Sequence, residues 1–376
     1  MKRSSAWAAM VLAVISMMPA ALAQRPPETH PTDESRHIVM GWDRSTSPGD
    51  LELWAPRVVL GFEQQGTSGY GELFLTCASS SSAATGRCPT QDTLENATNA
   101  VSRIPVRFTE RRSGTQVELE FTADIMRADG TPACHSGYWS GQLRPIWSSV
   151  SGTCAGKGRV GTGGSMRLDS AQLQRLVAGQ WAGRLELTLR KPPHQHLASY
   201  AFSFEFTITD HDAVAIYFPA FDQITPHVGL NLGYDPIAQT VAGRALLDMC
   251  LYDGLGSQSE YLGVTVRDTG PRPPGGRGYS VWHQDGGSDS SQRLDYTITL
   301  GHAGAHLPMA NNVERQLRGI DSAQLRPVVL PGMSQTVFCV PTPLTLDTPP
   351  VPVSSKRPGY YSGDLQVELR LPTSRP

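Results

Sequence analysis

Along most of the chain, apolar and polar residues alternate with a period of two, in runs bounded by Gly, Pro, Asn and Ser. Half-buried strands read this way, because successive side chains point to opposite faces of a sheet. In the clearest run Tyr200, Phe202, Phe204, Phe206 and Ile208 share one face, while Ala201, Ser203, Glu205, Thr207 and Thr209 share the other. Similar runs occupy 116–125, 184–190, 294–300 and 364–371, and shorter ones 213–218 and 261–267. Helical periodicity is scarce: Ser170 caps one predicted short helix through Val177, closed by Gly179. The pattern predicts an all-β chain of two immunoglobulin-like β-sandwich domains in tandem.

The boundary falls on the polar cluster Asp210, His211 and Asp212, where one alternating run stops and another starts at Ala213. This divides the chain into 24–211 and 212–376. The Pro- and Gly-rich stretches 270–278 and 341–352 read as surface connections within the second domain. Gly275, Gly276, Arg277 and Gly278 lack the Gly-Lys-Ser/Thr ending of a phosphate loop.

An internal repeat bears on the second domain. Gly179, Trp181, Gly183, Leu185, Leu187, Leu189, Arg190 and Pro192 recur 180 residues later as Gly359, Tyr361, Gly363, Leu365, Val367, Leu369, Arg370 and Pro372. After the first copy the chain turns and supplies the strong run 200–209; after the second it ends. The second sandwich is therefore expected to lack its final strand. Such a domain leaves unpaired backbone N–H and C=O groups beside exposed apolar side chains, and both are costly. Val214, Ile216, Phe218, Leu365, Val367, Leu369 and Leu371 are the candidate lining of the groove. A strand donated by another chain would fill it, with main-chain hydrogen bonds and alternate side chains in pockets.

The ends and the cysteines place the chain in a compartment. Lys2 and Arg3, an apolar stretch through Met18, and Ala21-Leu22-Ala23 before Gln24 form a secretory signal peptide, 1–23. The alternative, a membrane anchor, needs about 20 apolar residues, more than this run supplies. The mature chain is expected to be soluble once exported. Without Lys2 and Arg3, its 32 − 2 = 30 basic residues face 34 acidic ones, a net charge of −4 without long single-sign blocks. Nucleic acid is a poor partner for such a surface.

Six cysteines in an exported protein imply disulfides, and chain order suggests Cys77 with Cys88, Cys134 with Cys154, and Cys250 with Cys339. Six cysteines allow about 15 connectivities, so this pairing rests on domain locality. The spacings match no compact zinc pattern and no CxxC occurs, so neither a metal nor another cofactor is expected.

Several segments resemble one family. They are Asp43-Arg44-Ser45-Thr46-Ser47-Pro48; Cys77 followed by Gly86-Arg87-Cys88-Pro89-Thr90; Phe108-Thr109-Glu110-Arg111-Arg112-Ser113; Asp248-Met249-Cys250-Leu251-Tyr252-Asp253-Gly254; and Cys339 with Gly359-Tyr360-Tyr361-Ser362-Gly363. In this order they resemble the tip-adhesin and initiator subunits of colonization-factor-type fimbriae. These are the class 5, or alternate chaperone-usher, pili that include the cable-pilus initiator. The resemblance implies an N-terminal receptor-binding domain and a C-terminal pilin domain. It also implies a periplasmic chaperone, an outer-membrane usher, a major pilin that donates a strand, and a host or surface receptor, expected to be a glycan. The family's basic receptor-binding positions fall here on Glu72 and on the turn Arg190-Lys191-Pro192-Pro193, leaving Arg190 and Lys191 as the candidate contacts.

Two other function classes fit an exported two-domain β protein. A secreted carbohydrate-active enzyme would need a nucleophile elbow, an HExxH helix or paired acids in a cleft; the first two are absent. His194, His196 and His211 lie in turns without a ligand motif and read as surface residues. A two-domain periplasmic pilus chaperone would have no incomplete second sandwich. The reading that results is a fimbrial tip adhesin and assembly initiator, and not an enzyme.

Overall fold

The computed structural model describes residues 25–132, 134, 137–221, 223–270, 272, 274 and 278–372, so the predicted signal peptide lies outside the described residues. The first domain is built on one nine-stranded sheet. Its path runs Glu34–Asp43, Gln195–Thr209, Gly179–Lys191, Ser102–Glu110, Gln116–Ala128, Gly161–Leu168, Leu51–Phe62. Phe74–Thr76 is added beside Gly179–Lys191, and Trp139–Arg144 beside Gln116–Ala128. Only the first pair is parallel. The sheet folds over itself, so that Trp54 of the last strand stands edge-on to Tyr200 and Phe202 of the second, with ring centroids 5.0 and 5.9 Å apart.

The alternating run 200–208 forms the middle of this core. Phe202, Phe204 and Phe206 are buried, with Phe204 between Phe108 and Phe121 and Phe206 stacked on Phe108 at 5.3 Å. Burial of each such ring contributes roughly 1.5–3 kcal/mol.

The second domain has a seven-stranded sheet containing Leu232–Asp235, Thr240–Leu247, Leu344–Pro352, Arg293–His302, Tyr279–His283 and Tyr361–Ser362, with Ala305–Met309 hairpinned onto Arg293–His302. Opposite lies a three-stranded sheet, Arg315–Arg318, Tyr261–Asp268, Leu365–Arg370. Between the domains a four-stranded sheet joins Ala215–Tyr217, Cys250–Tyr252, Val337–Pro341 and Arg326–Val328. No described helix is long and apolar enough to cross a membrane. The disulfides join Cys77 to Cys88, Cys134 to Cys154 and Cys250 to Cys339.

Two local readings are corrected. The segment 341–352 is not a surface connection: Leu344–Pro352 is an interior strand, paired with both Thr240–Leu247 and Arg293–His302. Its prolines misled because proline cannot donate to a ladder. Pro349 and Pro350 fall where the pairing jumps from Gly243↔Thr348 to Val241↔Val351, an irregular stretch where that lack is tolerated. The predicted helix is also shorter. It spans only Ser170–Leu173, and its N-cap is Asp169, because Ser170 already lies inside the turn and donates its N–H to Asp50. Leu173 at its end, and Leu176 and Val177 beyond it, turn inward to the core, which a regular continuation was not needed to achieve.

The domains meet through direct contacts. Arg44, held by Asp210 of its own domain at 3.0 Å, donates across to Gln335 at 2.7 Å, Asp210 N donates to Gly254 O, and the Arg112 guanidinium donates to the carbonyls of Ile320 and Ala323. The first core continues across this junction through Cys250, Tyr252 and Cys339. Asp253 is buried and accepts from the N–H groups of Leu255, Ser257 and Ser259, fixing a loop whose Gly256 lies against Gly179. A Cβ on Gly256 would stand 2.6 Å from the Gly179 Cα, so this approach requires glycine.

Candidate functional site

Among the described strands, the last, Leu365–Arg370, pairs only with Tyr261–Asp268. In an antiparallel ladder about half of a strand's N–H and C=O groups point away from a single neighbour, and here no described strand receives them. The two strands are buried unequally. Leu262, Val264 and Val266 are fully covered, whereas Leu365, Val367, Leu369 and Leu371 are half-buried against the second core. Ile216, Phe218, Phe221, Val228 and Leu230 reach the same core.

Of the residues proposed for the groove, the structure thus brings Ile216, Phe218, Leu365, Val367, Leu369 and Leu371 to one cluster. Val214 is not part of it: it follows the 3-10 turn His211–Ala213, with Cγ2 3.4 Å from where a Gly254 Cβ would be. Val214 lies before the strand Ala215–Tyr217 and so falls outside that strand's alternation. The strand's odd side chains, Ala215 and Tyr217, pack on the first core, and its even side chain Ile216 faces the second.

An ion pair pins the open strand. Arg370 grips Glu314 with two 2.6 Å bonds, and the carboxylate reaches it across Gly263 of the middle strand, whose missing side chain leaves the path clear. The bond from Arg370 holds the Glu314 carboxyl below its ordinary range.

At the far end of the first domain, Arg190 and Lys191 are half-buried and turned onto their own chain. Arg190 Nε donates to Thr76 Oγ1 at 3.1 Å, and Lys191 Nζ to Ser68 O at 3.0 Å. Phe74 pairs with Arg190, so the turn Tyr70–Glu72 lies beside this basic corner and places exposed Glu72 near it. His194, His196 and His211 are exposed, and no group of three or more metal-ligating side chains occurs among the described residues.

The residue that organises this end escaped the sequence reading. Arg127 is fully buried without a carboxylate; it donates to Leu73 O at 2.7 Å, Thr162 Oγ1 at 2.6 Å, Ser148 O at 2.7 Å and Val150 O at 3.3 Å. Burial, with repulsion from Arg144, lowers its pKa to about 9. The signal was present: Leu119, Phe121, Ala123, Ile125 and Arg127 share the inward face of one strand, and a cation in an apolar row needs an explanation. It ties 73 to 148–150, beside an open cleft of about 650 Å³ lined by Arg87, Gln91, Asp92, Arg103, Glu120 and Trp147 among others.

Two family models, of the CFA/I fimbrial protein CfaE, match in tandem. Residues 19–211 match its first domain and residues 214–373 its second domain. The chain belongs to the CfaE family of CFA/I fimbrial subunits. A curated member from Escherichia coli is 26% identical over 307 residues, spanning 79% of this chain and 80% of its own. Among solved structures, CfaE, the adhesive subunit of CFA/I fimbria of enterotoxigenic Escherichia coli, superposes with a TM-score of 0.69 at 23% identity, over 93% of this chain and 95% of that one. A chain from a chaperone–tip adhesin complex of CFA/I fimbriae gives 0.67 at 22% identity, over 93% and 99%.

The segments 43–48, 108–113 and 248–254 converge on the domain junction. Burial alone would raise the Asp43 pKa, but bonds from Ser45, Thr209 and His211 N–H outweigh it and hold the carboxylate ionised. Glu110 likewise accepts from the N–H groups of Arg112, Ser113 and Gln180, shaping the turn from which Arg112 crosses to the second domain.

Proposed function

We propose that this chain is the tip adhesin and assembly initiator of a class 5, alternate chaperone-usher fimbrium, and not an enzyme. Residues 1–23 direct export and are removed; 24–211 bind a glycan on a host or other surface; 212–376 join the pilus. The route runs through the periplasm, where a chaperone lends a strand, and through an outer-membrane usher to the fimbrial tip, where the major pilin's strand replaces the chaperone's. The observation that carries this reading is the open edge of Leu365–Arg370 over half-buried Leu365, Val367, Leu369 and Leu371, in a member of the CfaE family. A tip adhesin of CFA/I fimbriae has been captured with a chaperone, which supports the same partner here.

The test is to append, after Pro376, a flexible linker and an alternating apolar strand from the cognate major pilin. Tethering raises the donor's effective concentration to about millimolar. The expected product is a soluble monomer whose second domain melts well above that of the untethered chain. A donor scrambled out of its period-two pattern should not rescue, since a one-residue slip turns its apolar side chains outward. An untethered chain that is already monomeric and equally stable would refute the reading.

A further inference from the structure

We infer that the cleft beside Trp147 is a binding site for a neutral oligosaccharide, distinct from the basic corner at Arg190 and Lys191. The cleft lies on the first domain between the Cys77–Cys88 loop, the strand Ser102–Glu110 and the segment carrying Trp147. It is a broad depression of about 650 Å³, open to solvent, of the kind that takes one face of a ligand and does not enclose it.

Its walls are braced by a disulfide and by hydrogen bonds within the domain. The disulfide closes one side, where Cys77 N donates to Pro89 O and Arg87 N to Pro105 O. On the other side Trp147 is oriented by its indole N–H to Glu95 at 3.2 Å, and its carbonyl accepts from Thr93 N at 3.1 Å. The next residue is fixed twice: Ser148 Oγ donates to Glu95 O and Ser148 O accepts from buried Arg127. Asp92 is aimed by bonds from Leu94 and Ser149 N–H groups. A site whose side chains are already held loses little entropy when it binds, and this is a main source of affinity.

The chemistry of the lining selects the ligand class. Two cations, Arg87 and Arg103, and two carboxylates, Asp92 and Glu120, give a net charge of 2 − 2 = 0. Arg103 is already paired with Glu120 at 3.1 Å, and Arg87 with Glu118 at 2.9 Å, so neither offers an uncompensated charge to an acidic group. What remains is the Asp92 carboxylate, which further disfavours an acidic ligand, and one aromatic side chain among donors and acceptors of both kinds, including the exposed Gln91 amide. A pyranose matches this: its C–H face packs on an indole while its ring of hydroxyls exchanges hydrogen bonds with paired ions and amides. A peptide would ask for apolar pockets or a free strand edge, which the cleft lacks among its lining residues.

This inference rests on the adhesive reading and assigns it a contact surface. The test titrates the full mature chain with lactose, N-acetyllactosamine and maltotriose, and with sialyllactose as the acidic comparison, by saturation-transfer NMR and calorimetry. A neutral probe should bind, and Gln91→Arg, which fills the cleft from an exposed position, should weaken it at least about tenfold, or 1.4 kcal/mol, with an unchanged melting temperature. Trp147→Ala should weaken binding as well, at some loss of melting temperature because Trp147 packs on the first core, and Trp147→Phe should retain most binding. Absence of any neutral binding, a preference for sialyllactose, or indifference to Gln91→Arg would overturn the inference. On fimbriated cells, full adhesion by the Gln91→Arg strain removes the cleft but leaves the adhesive reading intact. Equal adhesion by cells lacking the chain removes that reading itself.

Discussion

The strand Gly179–Lys191 and its repeat 180 residues later begin alike and end differently. Gly179 and Gly359 have φ of +147° and +149°, a region open to glycine, and each is pressed against a side chain at the end of a neighbouring strand, Glu110 and His283. Trp181 pairs with Glu110 and Tyr361 with His283. From there the copies diverge. Leu185, Leu187 and Leu189 are buried because Gln195–Thr209 follows and pairs along the whole strand. Leu365, Val367 and Leu369, at the same positions, are half-buried, and their strand pairs with Tyr261–Asp268 alone among the described strands. The same amino-acid pattern is therefore fully covered where a following strand pairs along it and half-buried where no second described strand does.

The largest test of this contrast uses the disulfides. Cys250–Cys339 closes 89 residues and Cys77–Cys88 closes 11. Loop-closure entropy predicts that replacing both cysteines with serine costs roughly 4–5 kcal/mol for the first and about 3 for the second. Urea unfolding of a fluorotryptophan-labelled chain measures each, because Trp282 is the only tryptophan after residue 212. An equal loss at both sites would mean that strain, and not chain entropy, sets their contribution.

Truncating equivalent apolar positions comes next. Phe204→Ala in the closed core should cost about 3–5 kcal/mol whether or not a donor strand is tethered. Leu369→Ala should cost only about 1 kcal/mol in the untethered chain, and about 2–5 once a tethered donor completes its burial. If the two Leu369 values agree, the donor does not cover this face and the comparison fails.

The smallest effect belongs to the pair that pins the open strand. Glu314 has its carboxyl pKa lowered by Arg370, so its contribution is full above the ordinary value of 4.5 and disappears as pH falls through the lower folded value. Glu314→Gln should therefore lower the melting temperature of the second domain slightly at neutral pH and not at all in strong acid, read at Trp282. A difference that grows on acidification would contradict that sign.

The contrast also shows where reading along the chain succeeds. Tyr200 to Ile208 announced a strand because each of its apolar residues meets the same core, so local pattern and tertiary burial agree. Pro349 and Pro350 concealed one, because an irregularity in the partner strand accommodates them and no local rule reports a partner. The family-like segments were legible as words but not as places: Asp43, Glu110 and Asp253 each fold a nearby turn, and only the assembled chain sets those turns around the junction.

The sequence by itself determined the all-β class, the two-domain order and the likeness of the two late strands, since alternation, turn residues and repeats are properties of neighbours along the chain. The tertiary structure alone decided that Arg127 is a buried cation satisfied by oxygens from three other segments, that Arg190 and Lys191 bond inward, and that Trp147 faces a charge-balanced cleft. Those outcomes depend on residues 21 to 123 positions apart meeting across the fold. Such distances leave no local period in the sequence, because the free energy that selects them comes from burial and hydrogen-bond satisfaction of the whole domain.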